Sequence, residues 1–128
     1  MSILGHGIDL VETARIAAML EQHSQRFLDR CFTVGEQSYA SANPRRQVEH
    51  LAGRFAAKEA ILKALGTGLA DGIQWTDVEI VRLDSGQPTV KLQGRAMEIA
   101  QSHGIVRWHL SITHTDTHAQ ASVIASGL

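Results

Sequence analysis

One long helical segment in the middle of the chain restricts the fold more than any other feature of the sequence. Asn43-Pro44 opens it, because asparagine is a favourable N-cap residue and proline fits the first turn of a helix. Four large apolar residues then fall within one stripe at helical spacing: Leu51, Phe55, Leu62 and Leu65. Gly66-Thr67-Gly68 supplies a glycine stop, so we expect a helix of roughly 20 residues that other elements must cover.

The segments before this helix predict a strand followed by two shorter helices. Residues 3–11 alternate Leu4, Ile8 and Leu10 with Gly5, Gly7 and Asp9, which is typical of a strand whose Asp9 shares a face with two glycines. A helical pattern begins near Glu12, and Phe27, Leu28 and Phe32 continue the apolar pattern in a second short helix. Arg15, Arg26 and Arg30 are expected to face outward.

The segments after the long helix predict two β-hairpins separated by one helix. The runs 77–81 and 88–92 form the first hairpin, residues 94–103 the helix, and the runs 107–113 and 119–125 the second hairpin. The order β-α-α-α-β-β-α-β-β predicts an α+β fold with a small antiparallel sheet packed against the long helix. With 128 residues and no internal repeat, we expect a single domain spanning 1–128.

Charge and cysteine content exclude several classes of protein. Twelve Lys and Arg against thirteen Asp and Glu give a net charge of −1, so no basic field points to nucleic acid. Cys31 is the only cysteine, which rules out an internal disulfide and a Cys-rich zinc module and favours a reducing compartment. The N-terminus lacks a signal-peptide pattern and no apolar run is long enough to span a membrane, so we expect a cytoplasmic protein without membrane contact.

The first place that could support chemistry is Asp9, a charged residue in an otherwise apolar strand. A carboxylate there needs a cation or hydrogen-bond donors to offset its desolvation, and the missing side chains of Gly5 and Gly7 leave space for a ligand. The alternative is structural: Asp9 would cap the helix that begins near Glu12. The spacing alone favours neither interpretation.

The second place lies late in the long helix. Glu59 and Lys63 are i and i+4, so they could hold a metal and a phosphate side by side, or form an ordinary helix-stabilising ion pair. Lys58 falls inside the apolar stripe and is expected to extend toward solvent or meet a buried partner. Gly66-Thr67-Gly68 is not a P-loop, and a Gly-x-Gly pair alone is a weak phosphate signal.

The third place is the strand end that carries Ser111, Thr113 and His114. His114 and His118 have the i,i+4 spacing of a zinc-protease helix, but this segment is predicted to be a hairpin turn, which argues against zinc. Asp9 and Glu59 suit Mg²⁺ better, because that ion takes one or two carboxylates together with substrate phosphates. A phosphate-bearing substrate follows from this choice.

Three blocks of the sequence resemble a known family. They are residues 7–12 (Gly-Ile-Asp-Leu-Val-Glu), the run from Leu51 to Gly68 with Gly-Arg-Phe-Ala-Ala-Lys-Glu-Ala at its centre, and residues 110–114 (Leu-Ser-Ile-Thr-His). Their order and separation resemble the holo-[acyl-carrier-protein] synthases, the short bacterial 4′-phosphopantetheinyl transferases. The resemblance covers essentially the whole chain and includes Gly86-Gln87-Pro88 between the central strands.

The resemblance implies a 4′-phosphopantetheinyl transferase fold and a Mg²⁺-assisted reaction of fatty acid biosynthesis. In it 4′-phosphopantetheine moves from coenzyme A to a serine of apo acyl carrier protein, releasing adenosine 3′,5′-bisphosphate. Asp9 and Glu59 would bind the metal, and Lys63 would neutralise the phosphates. Gly66, Thr67 and Gly68 would line the nucleotide site, with Arg54 as a further phosphate contact. The general base is left open between Glu59 and Glu36, the latter on the expected loop 33–36.

The same resemblance implies a homotrimer with active sites between subunits. Ser111, Thr113 and His114 would then close the coenzyme A pocket of a neighbouring subunit. Arg15, Arg26 and Arg30 gain a role as a docking surface for the acidic carrier protein, against the simpler interpretation that they are solvated helix residues. Asp71 departs from the residue usual at its position, which puts coenzyme A contacts from loop 69–72 in question.

Two other functions use the same residues. A Mg²⁺-dependent coenzyme A phosphohydrolase would need both carboxylates but no acceptor protein. A coenzyme-A-binding module without activity would keep the pocket alone, and the presence of Asp9, Glu59 and Lys63 together argues against it.

Overall fold

A computed structural model describes all 128 residues of the chain. Nine helices and strands follow one another, with short 3₁₀ turns at Pro44–Arg46 and Trp75–Asp77. Their bounds are β1 Ile3–Glu12, α1 Thr13–Cys31, α2 Val34–Ser41, α3 Gln47–Leu65, β2 Val78–Arg82, β3 Pro88–Leu92, α4 Gly94–Ser102, β4 Arg107–His114 and β5 His118–Ser126. The predicted α+β class, the long helix and both hairpins are confirmed.

The strands form two antiparallel sheets, whereas the sequence led us to expect one. The larger sheet has the order β1-β5-β4, and β2 pairs only with β3. In the larger sheet Asp9 lies opposite Ala121, which in turn lies opposite Ile112. Sequence periodicity fixes which segments are strands, but it does not say which edges meet, and this accounts for the difference.

Helix α3 is the centre of the molecule. Thirteen of its 19 residues are buried, so its apolar surface extends almost all round and is wider than the predicted stripe. Six of those buried residues are alanine or glycine, which lets neighbouring backbones approach closely: Ala52, Gly53, Ala56, Ala57, Ala60 and Ala64. The helix lies on one face of the larger sheet and contacts all three of its strands.

The space beside Asp9 that the sequence assigned to a ligand is filled by α3. A Cβ atom at Gly5 would collide with the carbonyl of Ala64, and one at Gly7 with the carbonyl of Ala60. The two glycines therefore serve close strand–helix packing, and the expectation of a ligand cavity over them is wrong. Asp9 lies on the same face of the strand as the two glycines, and its side chain contacts Lys63.

Of three local features before α3, one agrees with the sequence-based expectation and two differ. Helix α1 contains a break at Ser24 (φ 45°, ψ −122°), which divides it much as the expected pair of short helices did. The segment expected to be a loop at 33–36 begins helix α2, with a capping box between Thr33 and Glu36. Asn43 makes no side-chain cap, because a 3₁₀ turn at Pro44–Arg46 separates it from α3.

The opposite face of the larger sheet is uncovered in the single chain. Leu4, Ile8 and Leu10 alternate with the residues that face α3, and they are 44%, 47% and 61% exposed. Such a row of large apolar side chains on a regular sheet marks a surface for association. None of the helices combines the length and apolar character needed to cross a membrane.

Candidate functional site

Strand β1 and the C-terminal half of α3 bring Asp9 and Lys63 together. The Lys63 Nζ atom donates to the Ile8 carbonyl at 2.9 Å and lies 3.2 Å from Asp9 Oδ1. Lys63 thus bridges helix and strand, and it forms no ion pair with Glu59 as a simple helix pair would. The alternative role of Asp9 as a helix cap is wrong, since Glu12 occupies the N-cap of α1 and makes no side-chain cap bond.

Glu59 faces the same space as these two residues. Burial raises the pKa of the Glu59 carboxyl above its usual value, the negative charge of Asp9 raises it further, and Lys63 and Arg15 act against both. Two carboxylates that repel each other in a half-buried position fit a divalent cation. No cluster of three or more His, Cys, Asp or Glu side chains that could hold a metal ion is present. Asp9 and Glu59 could hold Mg²⁺ only together with oxygen ligands from water or a substrate.

The turn after α3 adjoins this cluster. Gly66 takes the left-handed C-cap conformation (φ 81°), and its N–H donates to the carbonyls of Leu62 and Lys63. A Cβ at Gly66 or Gly68 would meet nothing within 4 Å, so one side of the turn is open to a ligand. The turn therefore directly follows the last turn of α3, which carries Lys63, as the sequence predicted; its residues are Gly66, Thr67 and Gly68.

Ser111, Thr113 and His114, which the sequence grouped together, lie on two different faces of the larger sheet. His114 shares the α3 face with Ile112, and its Nε2 atom is 3.3 Å from Glu49 Oε2. Ser111 and Thr113 lie on the opposite, uncovered face and are exposed. Within one chain the three side chains do not form a single cluster.

His114 belongs to a polar cluster near the start of α3. Arg46 contacts both neighbours: its Nε atom lies 3.1 Å from Glu49 Oε2, and its Nη2 atom lies 3.4 Å from His114 Nε2. Glu49 and Lys63 are separated by roughly 21 Å of helix axis at about 1.5 Å per residue. Arg46 and Glu49 were missed by sequence reasoning, and the Arg45-Arg46 pair before the long helix was the available sign.

Arg54 is buried in the contact between α2 and α3. Only 4% of the residue is exposed, its guanidinium carbon lies 4.0 Å from the centre of the Tyr39 ring, and Nε has no hydrogen-bond partner. Burial lowers the pKa of Arg54. It is therefore not the surface residue that a phosphate contact usually is, and Tyr39 is a neighbour that the sequence gave no reason to select.

Glu36 lies away from the carboxylate site and is sealed in the core. Its side chain has no exposed surface and lies 2.7 Å from the ammonium of the equally buried Lys58. Of the two interpretations of Lys58, the buried partner is confirmed. Glu36 is unsuited as a general base because its side chain has no exposed surface that a substrate could reach.

An open groove runs between α1 and α3. It has a volume of about 630 Å³ and an apolar floor that includes Ile16, Met19 and Phe27. Its polar lining residues are Arg15, Arg26, Arg30 and His23. The three arginines face outward as expected. The Arg15 guanidinium lies 5.4 Å from the Phe55 ring centre and its charge lowers the pKa of Glu59, so the groove adjoins the carboxylate site.

Comparison with known proteins gives the family. The family model for the 4′-phosphopantetheinyl transferase superfamily matches residues 5–122. A holo-[acyl-carrier-protein] synthase from Koribacter versatilis is 47% identical over 122 residues, which cover 95% of this chain and 97% of the relative. The chain belongs to the holo-[acyl-carrier-protein] synthase family of 4′-phosphopantetheinyl transferases.

Solved structures of holo-[acyl-carrier-protein] synthases share the fold. The crystal structure from Neisseria meningitidis has a TM-score of 0.88 and 32% identity, with 98% of this chain and 99% of that chain covered. A structure from Bacillus anthracis, described as a complex with CoA (3′,5′-ADP), has a TM-score of 0.82 and 35% identity, with 98% of each chain covered. The expected 4′-phosphopantetheinyl transferase fold is therefore confirmed.

Proposed function

We propose that this chain transfers 4′-phosphopantetheine from coenzyme A to a serine hydroxyl of apo acyl carrier protein and releases adenosine 3′,5′-bisphosphate. The observation that supports it best is the convergence of Asp9, Glu59 and Lys63 in a fold shared with the holo-[acyl-carrier-protein] synthases. Two carboxylates and one ammonium match a metal-bound pyrophosphate.

Asp9 and Glu59 would hold Mg²⁺, whose positive charge would offset the negative charge that develops on the phosphoryl oxygens. Lys63 adds a second positive charge, fixed to the strand by its bond to the Ile8 carbonyl. Because that ammonium is already oriented, little reorganisation is needed when charge develops in the transition state.

The serine oxygen forms a bond to the β-phosphorus of coenzyme A, and the bond from that phosphorus to the bridging oxygen breaks. The electron pair leaves with adenosine 3′,5′-bisphosphate, and the serine proton passes to a base. Glu59 is the base we propose, acting directly or through a water. The raised pKa of Glu59 lies closer to the working pH than that of an ordinary glutamate, and a general base is most effective when these two values are close.

The rest of coenzyme A would be bound by the turn and by basic residues. Gly66, Thr67 and Gly68 offer an open surface beyond Lys63. Arg54 would contact a nucleotide phosphate through its Nη atoms, because Nε is the only one of its nitrogens that is both fully buried and unpartnered.

We propose the groove between α1 and α3 as the docking surface for the carrier protein. Arg15, Arg26 and Arg30 place three positive charges around an apolar floor, which complements an acidic, amphipathic partner helix. Arg15 also acts on the pKa of Glu59, so a serine presented from the groove would arrive beside the proposed base. With acyl carrier protein as the acceptor, the proposed role belongs to fatty acid biosynthesis, and the free thiol of Cys31 supports a reducing compartment such as the cytoplasm.

The functional assembly we propose is a homotrimer with active sites between subunits. Its basis is the uncovered apolar face that carries Ile8 and Leu10, which needs a covering surface. Ser111 and Thr113 share that face, and His114 lies at the end of the same strand. These three residues would complete the coenzyme A pocket of the neighbouring subunit, which a small chain cannot enclose alone.

The intact mass of apo acyl carrier protein incubated with the chain, coenzyme A and Mg²⁺ tests the function. We expect the mass to rise by one phosphopantetheine group, and an unchanged mass overturns the proposal. Release of phosphopantetheine without an acceptor would identify a phosphohydrolase. Binding of coenzyme A without any product would identify an inactive binding module.

Two variants test the metal ligands in the same assay. Asp9→Ala and Glu59→Ala should each remove most Mg²⁺-dependent transfer and keep the fold, because a metal held by two carboxylates loses its position when either is removed. Glu98→Ala is the matched control, since that exposed carboxylate on α4 pairs only with Arg95. Normal turnover by either ligand variant contradicts the assignment.

A further inference from the structure

Arg54 is a buried cation with no carboxylate in contact, and Glu36, the carboxylate whose charge acts on it, is already paired with Lys58. Arg54 forms no ion pair within 4.0 Å, although 96% of the residue is removed from solvent and its Nε atom is unpartnered. Burying a charge without a counter-ion is costly unless another group offsets the lost hydration. The group that does so here is the face of Tyr39, 4.0 Å from the guanidinium carbon.

Tyr39 lies in a cluster with His50 and Arg82 as well as with Arg54. The His50 ring packs against Tyr39 with centroids 5.0 Å apart, and the Arg82 guanidinium carbon lies 5.7 Å from the Tyr39 ring centre. Burial, then the charge of Arg54, lowers the pKa of His50, so His50 is neutral near neutral pH. The cluster therefore places two positive charges, those of Arg54 and Arg82, around one aromatic ring.

We propose that Tyr39 is a positioning residue that holds the Arg54 guanidinium in the orientation in which it meets a phosphate of coenzyme A. This inference rests on the proposed function, in which Arg54 contacts a nucleotide phosphate. A planar guanidinium stacked on a ring keeps its N–H edges in a fixed plane, and a fixed fork is what bidentate phosphate recognition needs. Tyr39 thereby contributes to affinity for coenzyme A without touching it.

The kinetic test separates affinity from chemistry. Tyr39→Leu should raise the KM for coenzyme A by about tenfold, the size expected when a desolvated cation–π contact is lost, and leave kcat nearly unchanged. Tyr39→Phe should raise the KM less than Tyr39→Leu does, because it keeps the ring face against which the guanidinium lies. An unchanged KM in Tyr39→Leu, or an equal rise in Tyr39→Phe, overturns the inference.

A double-mutant cycle shows whether Tyr39 acts through Arg54. In the Arg54→Gln background, Tyr39→Leu should raise the KM no further, since the group that it positions is already gone. Independent, additive effects would instead mean that Tyr39 has a merely structural role. Tyr39→Met, closer to tyrosine in length, replaces Tyr39→Leu if the latter does not fold, and failure of both to fold also overturns the inference.

Direct binding separates this inference from the proposed function. Isothermal titration of adenosine 3′,5′-bisphosphate requires neither an acceptor protein nor turnover. If the unmodified chain binds no nucleotide, the proposed function fails. If it binds and Tyr39→Leu binds equally well, only the role of Tyr39 fails.

Discussion

The carboxylate of Glu36 and the ammonium of Lys58 lie 2.7 Å apart, and neither side chain exposes any surface. Glu36 also accepts hydrogen bonds from the backbone N–H groups of Thr33 and Ile80, both at 2.9 Å. Lys58 donates to the Val78 carbonyl at 2.7 Å. One ion pair thus joins α2, α3 and β2 through groups that are all hydrogen-bonded, which makes its use structural.

Removing one member of this pair should strongly destabilise the fold. Lys58→Ala leaves the Glu36 charge buried without its counter-ion, so we expect the free energy of unfolding to fall by about 3–5 kcal/mol in urea denaturation. Lys91→Ala, which removes an exposed lysine on β3, is the control and should change it by less than about 0.5 kcal/mol. A loss of similar size in both variants would contradict this role.

Because the pKa of Glu59 is raised, replacing its carboxylate by a neutral amide should stabilise the fold by an amount that depends on pH. In the folded chain Glu59 keeps its proton to a higher pH than in the unfolded chain, so stability is lost as pH rises through the folded-state pKa. Glu59→Gln should therefore melt above the unmodified chain at pH 7, and the gap should close near pH 4, where both are neutral. Thermal melts without metal test this, and a lower melting temperature for Glu59→Gln at pH 7 would refute it.

Lys63→Ala should weaken coenzyme A binding and slow transfer together. The ammonium serves the bound phosphates and also the charge that develops on them, so kcat/KM should fall by about 100-fold, shared between its two parameters. Steady-state kinetics with varied coenzyme A measure both. An unchanged rate and affinity would return Lys63 to the role of a helix–strand tie.

Active sites shared between subunits predict complementation. Glu59→Ala and His114→Ala should each be inactive alone, whereas co-expressed chains should recover partial activity because some interfaces carry both intact halves. The separation of the Lys63 and Glu49 ends of α3 within one chain motivates the test. If mixed trimers are verified and activity stays at the level of the single variants, each site lies within one chain.

The break in α1 predicts a stabilising substitution. Ser24 has φ 45° and ψ −122°, a conformation that a side chain disfavours, so Ser24→Gly should raise the free energy of unfolding by about 1 kcal/mol. Ser38→Gly, at an exposed position inside α2, should lower it by about 0.5–1 kcal/mol, because glycine there only adds unfolded-state entropy. Destabilisation by both would show that Ser24 is unstrained.

Local patterns predicted most of the elements because they depend on neighbours in sequence. The alternation at β1, the stop at Gly66 and the two hairpins were all visible in this way. Helix α2 was missed although Thr33 and Glu36 have capping-box spacing, since the intervening Gly35 favours a loop by composition.

The site was predictable as a set of residue types but not as an arrangement. Asp9, Glu59 and Lys63 belong to motifs, so they could be selected before their contacts were known. The burial of Glu36 and Arg54 depends on Lys58 and Tyr39, which come from other elements, and no spacing rule expresses such a partnership. The division of Ser111 and His114 between two sheet faces followed from strand alternation and was available to the sequence analysis.

The close packing of β1 on α3 has a consequence for how the catalytic spacing is maintained. Gly7, two residues before Asp9, packs directly against the backbone of Ala60, the residue that follows Glu59. Backbone atoms have no alternative rotamers, so this contact fixes the distance between β1 and α3 and with it the distance between the carboxylates of Asp9 and Glu59. Gly7→Ala would push the strand away from the helix and increase the distance between the two carboxylates, although neither carboxylate would be altered chemically.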